Sequence, residues 1–129
     1  MSFISCNGRV IHYGYSTSNS DQTFLFINSL GTDFRIWEEV AADLGAFGNI
    51  LLYDKRGHGL SDLAKPKKGL NDYAEDAGSL LANLSIKNCI VIGISVGGMI
   101  APILAHCHPA LVKRLILCGA ANKIGSAET

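Results

Sequence analysis

The chain has 129 residues, 48% of them apolar and 17% charged, with a formal net charge of zero. That supports one domain with a sizeable core and argues against global disorder. A balanced charge gives no basis for binding nucleic acid or an anionic membrane surface. The N-terminus lacks the basic and apolar regions of a signal peptide, and no apolar run approaches the roughly 20 residues that cross a bilayer. The cysteines, Cys6, Cys89, Cys107 and Cys118, are widely spaced, with no C-x-x-C pair and no zinc spacing. They read as reduced thiols of a cytoplasmic protein.

In chain order, Phe3 to Cys6 and Arg9 to Tyr13 flank Asn7-Gly8, a strong hairpin-turn dipeptide. Thr23 to Ile27 is a continuous apolar run, which suits a strand buried on both faces. A loop of small residues, Asn28 to Thr32, leads to Asp33, which can cap a helix carrying Phe34, Trp37, Val40, Ala41 and Leu44 on one side. Gly45 and Gly48 end that helix. Asn49 to Tyr53 is the next strand, followed by the polar, glycine-rich loop Asp54 to Asp62. Asn71 or Asp72 can cap a second helix with Tyr73, Ala77, Leu80, Leu81 and Leu84 on one side. Cys89 to Ile92 is a buried-type strand, Gly98 to Cys107 a helix stopped at Pro109, and Arg114 to Cys118 a last strand. The order β-β-β-α-β-α-β-α-β predicts an α/β fold: a mostly parallel sheet, helices on both faces, right-handed crossovers.

Gly93-Ile94-Ser95-Val96-Gly97 lies between that strand and that helix. The G-x-S-x-G pattern alone arises by chance in roughly 5–10% of chains of this length. Its placement at a strand-to-helix turn gives it weight: small residues two before and two after the serine let the backbone turn sharply. The hydroxyl then stands clear at a helix N-terminus that favours negative charge.

Four segments carry a resemblance: Asn28-Ser29-Leu30-Gly31-Thr32-Asp33, Tyr53-Asp54-Lys55-Arg56-Gly57-His58-Gly59-Leu60-Ser61, Gly93 to Gly98, and Leu117 to Gly125. With them the chain resembles the N-terminal half of an α/β-hydrolase, and more narrowly the 3-oxoadipate enol-lactonases of the β-ketoadipate pathway of aromatic catabolism. The second and third segments are shared across the superfamily. Asn28-Ser29, where most relatives carry His-Gly, and Asn122-Lys123-Ile124-Gly125 are more particular to the lactonases. The resemblance implies one core domain over residues 1–129, holding strands one to six and lacking the cap and the C-terminal part. It implies Ser95 as nucleophile and the backbone N–H groups of Leu30 and Val96 as the oxyanion hole. The implied reaction is opening of a small-molecule enol-lactone to 3-oxoadipate through an acyl-enzyme, with no cofactor and no metal. Arg35, one helical turn past the oxyanion loop, could meet a substrate carboxylate, with a solvated helix charge the commoner reading of such a residue.

A serine needs a base, usually a histidine oriented by a carboxylate. In this superfamily the acid and the histidine follow the serine in the chain, and here no histidine follows His108. His12 belongs to the N-terminal hairpin at the far edge of the sheet. His58 reads as structural in its loop, and Asp54 as a holder of backbone N–H groups. His106 and His108 lie roughly 15 Å from the serine along the helix. The triad acid and histidine are therefore expected outside this chain. Three explanations follow: one piece of a split or clipped enzyme completed by a second polypeptide, a truncated inactive fragment, or a non-catalytic module that binds a partner or itself through its last, uncovered strand. An esterase or perhydrolase of the same fold is the alternative within the hydrolase class.

Overall fold

The computed structural model describes residues 2–6, 8–28, 34–55 and 69–119. Its element order is β1 (Ser2–Cys6), β2 (Arg9–Ser16), β3 (Thr23–Ile27), a 3-10 turn (Phe34–Trp37) running into α1 (Glu38–Leu44), β4 (Asn49–Tyr53), α2 (Leu70–Asn83), β5 (Cys89–Ile94), α3 (Val96–Cys107) and β6 (Val112–Cys118). The strands form one sheet in the order β1-β2-β4-β3-β5-β6. β1 and β2 pair antiparallel, as does β2 with β4, and β4, β3, β5 and β6 run parallel. The predicted α/β architecture is the observed one.

The apolar runs become the strands buried on both faces: every residue of β3 and β4 is buried. Because side chains alternate across a strand, each central strand feeds two cores. Leu25, Ile27, Leu51, Tyr53 and Val91 pack under α2 and α3 with Ala77, Leu80, Leu81, Ile100 and Leu104. Phe24, Phe26, Ile50, Leu52, Ile90 and Ile92 pack under Trp37 and Ala41. Trp37 stacks tilted on Phe26 with ring centroids 5.0 Å apart.

The helix ends differ from expectation in instructive ways. The segment after Asp33 starts as a 3-10 turn and becomes α-helical at Glu38, and Val40 remains 45% exposed. Gly45 caps α1, its N–H bonding the Ala41 carbonyl at 3.0 Å. α2 begins at Leu70 with Gly69 as its N-cap, so Asp72 is the third helical residue and its carboxylate accepts the Gly69 N–H at 3.1 Å. That is the reaching-back half of a capping box. α3 starts at Val96, directly after the serine, and holds Pro102 within its length.

The two sheet edges are unlike. On one side the β1–β2 hairpin closes the sheet against β4. On the other, β6 is exposed almost throughout, with Ile116 at 47% and Leu117 at 45%. Among the described residues no helix is long and apolar enough to cross a membrane.

Candidate active site

The carboxyl ends of β4, β3 and β5 lie side by side, and the chemistry-bearing residues follow them: Asp54 and Lys55 after Tyr53, Asn28 after Ile27, and Ser95 after Ile94. Open α/β sheets place their sites at this end.

Ser95 has φ 54° and ψ −117°, a conformation that costs a non-glycine residue roughly 1–3 kcal/mol and persists only where the surroundings enforce it. The surroundings are visible. A Cβ on Gly93 would strike the Gly97 carbonyl and stand 2.8 Å from the Gly98 nitrogen. A Cβ on Gly97 would strike the Ile27 carbonyl oxygen, 2.7 Å from its carbon and 3.1 Å from the Asn28 oxygen. These neighbours are backbone atoms, which no rotamer change can move aside. The small residues two before and two after the serine are thus required by the packing of this turn against itself and against β3. The Ser95 N–H bonds the Cys118 carbonyl of β6 at 3.0 Å, and its carbonyl accepts from Gly98 at 2.9 Å. Its side chain makes no capping bond to α3, and the residue is half-buried.

Val96 is buried and opens α3. As a first helical residue its N–H has no carbonyl one turn back to serve, which suits a donor to an anion beside Ser95. Leu30, the other expected donor, lies outside the described residues, as do His58 and the Asn122–Gly125 segment.

None of the three described histidines reaches Ser95. His12 is on β2, and β4 and β3 stand between β2 and β5. Three strand spacings of about 4.8 Å place it about 14 Å away. His106 and His108 end α3, eleven and thirteen residues along at about 1.5 Å each. The His108 ring lies on α2, where a Cβ on Gly78 would come 2.6 Å from its Nε2. Arg35 is exposed.

Two features of the site gave no clear signal in the sequence. His12 Nδ1 lies 2.9 Å from Asp54 Oδ2, both residues buried. A carboxylate only accepts, so Nδ1 carries the proton. The Asp54 N–H also bonds the His12 carbonyl at 2.9 Å, so the hairpin and β4 are joined by side chain and backbone together. Asp54 thus holds an imidazole as well as marking the loop start. The second feature is Lys55, 1% exposed, whose Nζ donates to the Asn28 carbonyl at 2.8 Å. Burial pushes its ammonium down to about 8, with the Asp54 carboxylate pulling the other way. The only hint was a lysine two residues past the apolar run Ile50 to Tyr53. Burial also raises the Cys6 and Cys89 thiols, Cys89 to about 12, so neither is a thiolate at neutral pH. No cluster of three metal-ligating side chains occurs among the described residues.

Residues 22–128 match the family model of the alpha/beta hydrolase fold. The chain is 33% identical over 104 residues to 3-oxoadipate enol-lactonase 2 of Acinetobacter baylyi, covering 81% of this chain and 39% of that protein. It is 31% identical over 99 residues to 2-(acetamidomethylene)succinate hydrolase of Mesorhizobium japonicum, covering 75% of this chain and 35% of that protein. The crystal structure of the enol-lactonase from Burkholderia xenovorans superposes with a TM-score of 0.92 at 32% identity, covering 98% of this chain and 50% of that one. The chain therefore spans half or less of the length of these relatives.

Proposed function

Because the chain belongs to the alpha/beta hydrolase fold family, we propose that it supplies the nucleophile half of a serine hydrolase that opens a small enol-lactone. The observation that carries the reading is the strained serine turn: Ser95 at φ 54°, wedged between two glycines that cannot bear a side chain. Ser95 Oγ attacks the lactone carbonyl. The ring oxygen leaves with a proton, and water then hydrolyses the acyl-enzyme. The N–H groups of Val96 and Leu30 hold the alkoxide of the tetrahedral intermediate, and loss of one such donor typically costs about 10²–10³ in kcat. Likeness to a named 3-oxoadipate enol-lactonase supports 3-oxoadipate enol-lactone, an intermediate of aromatic catabolism, as the substrate. Four free thiols support a reducing, cytoplasmic setting.

The general base and its carboxylate come from a second polypeptide segment that completes the sheet on β6. Ile116 and Leu117, exposed on a strand that is at the sheet edge among the described residues, favour that arrangement, because an apolar edge is a template for another strand. The same edge supports a second reading, a non-catalytic module that captures a partner by strand addition. Native size measured alongside lactone hydrolysis separates them. A co-purifying second chain with hydrolysis lost in Ser95→Ala supports the split hydrolase. Undiminished hydrolysis in Ser95→Ala overturns it, and a stable complex without hydrolysis favours the binding module.

A further inference from the structure

Lysine is seldom fully buried unless its charge is held by a specific partner. Lys55 is 1% exposed, and its Nζ reaches across from the end of β4 to the Asn28 carbonyl at the end of β3, 2.8 Å away. That same carbonyl oxygen stands 3.1 Å from the point where a Cβ on Gly97 would sit. One backbone oxygen therefore joins three strand ends: Lys55 grips it, Asn28 carries it, and the turn beyond Ser95 packs on it. A trans peptide is planar, so a held carbonyl fixes the whole plane of the peptide by which the chain leaves β3.

Resting on the hydrolase reading above, we propose that Lys55 is a positioning residue for the reaction at Ser95. Its ammonium clamps the Asn28 carbonyl and so fixes the root of the loop after β3 against the serine turn. The clamp acts through Asn28 and makes no contact with substrate. An ionised donor binds a carbonyl about twice as strongly as a neutral one, so the cation is the effective form. With the ammonium held down at about 8, the clamp weakens as pH rises through that value. Among the described residues, the Asp54 carboxylate acts on it, itself held by His12 from β2. Folding stability runs the other way. An unfolded lysine keeps its proton to about pH 10.4. Between about 8 and 10.4 the unfolded chain thus holds more protons at this lysine, so the contribution of Lys55 to stability rises with pH, against the falling contribution of the buried Cys6 and Cys89 thiols. Activity that falls while stability relative to Lys55→Met climbs is a signature that a merely structural lysine would not produce.

The test is the pH dependence of kcat and KM, from about pH 6.5 to about 9.5, for the completed hydrolase carrying wild-type chain, Lys55→Met or Lys55→Arg, with urea midpoints in parallel. The wild type should lose kcat with a midpoint near pH 8 as its urea midpoint rises relative to that of Lys55→Met. Lys55→Met should lower kcat about tenfold with KM within about twofold, and its alkaline limb should vanish. Lys55→Arg, whose charge does not titrate in this range, should recover most of kcat without the limb. Wild-type kcat in Lys55→Met, or an alkaline limb that persists in either variant, overturns the proposal. A wild type without Ser95-dependent hydrolysis sinks the hydrolase reading instead. The clamp is then decided by NMR on the wild-type chain, which also serves if Lys55→Met fails to fold. The Asn28 carbonyl and Val96 amide resonances should shift with the Lys55 midpoint, and their indifference to it overturns the clamp.

Discussion

Ser85 and Ser95 are both held at positive φ, 57° and 54°, for different reasons. Ser85 follows the C-cap of α2. Its N–H bonds the Ala82 carbonyl at 3.1 Å, and the Ile86 N–H bonds the Leu81 carbonyl at 2.9 Å. That pair of bonds is a Schellman ending, which wants a left-handed residue and most often uses glycine. The Ser85 side chain is exposed, and the strain closes a helix. Ser95 sits where no helix-capping bond uses its hydroxyl, between glycines that leave no room for a side chain on either flank. Here the strain displays an oxygen. A positive φ is therefore only a pointer. What separates a structural left-handed residue from a chemical one is whether the surroundings use the backbone alone or also leave the side chain presented.

The comparison breaks most severely at Gly97. In Gly97→Ala the new methyl would collide with the Ile27 carbonyl, which lies within a central strand. Neither side can give by rotating a side chain. We expect a loss on the order of 3 kcal/mol, at the upper end for overpacking, or a displaced serine turn with activity gone. Urea denaturation checks the first and serine-dependent turnover the second. A Gly97→Ala chain of wild-type stability and activity would show that the packing against β3 is not what holds Ser95 in place. No such sensitivity is expected at Gly69, where an added Cβ meets nothing within 4 Å.

The serine turn could be read from the sequence because its requirements are local: five residues, two of them glycine, between a strand and a helix. The sheet was legible for a similar reason, since runs such as Thr23 to Ile27 and Asn49 to Tyr53 state their burial in their own composition. The His12–Asp54 pair was not, because its members are 42 residues apart and meet only when β2 pairs with β4. Lys55 was hidden by the same logic. A lysine after a strand normally reaches water, and only the β4–β3 pairing turns it onto Asn28. The start of α2 was displaced because Asn71 and Asp72 both read as caps in the sequence, whereas Asp72 reaches back from the third helical position to the Gly69 N–H.

Replacing Ser95 sharpens the comparison. Ser95→Ala keeps a Cβ at φ 54° and with it most of the strain, whereas Ser95→Gly releases the strain. Both should abolish any serine-dependent turnover, but the glycine variant should be the more stable by about 1 kcal/mol, the scale of the left-handed penalty. Denaturant midpoints of the two variants decide it. Equal midpoints would mean that the turn is relaxed, and that its geometry is not maintained against a cost.

The smallest effect is expected at Ser85, and it is the cleanest control. Glycine in a left-handed C-terminal position escapes the Cβ penalty of about 1–2 kcal/mol. The greater freedom of glycine in the unfolded chain takes back a part of that, about 0.5–1 kcal/mol. Ser85→Gly should therefore stabilise the fold by about 0.5 kcal/mol and leave serine-dependent turnover unchanged. The Ser85 side chain contributes nothing to offset this, because the ending is made by the Ser85 and Ile86 N–H groups and by burial of Ile86 beside Leu81. Stabilisation at both serines with loss of activity at only one would confirm that the same backbone strain serves two ends. Destabilisation by Ser85→Gly would instead assign the Ser85 side chain a role that its exposed position does not suggest.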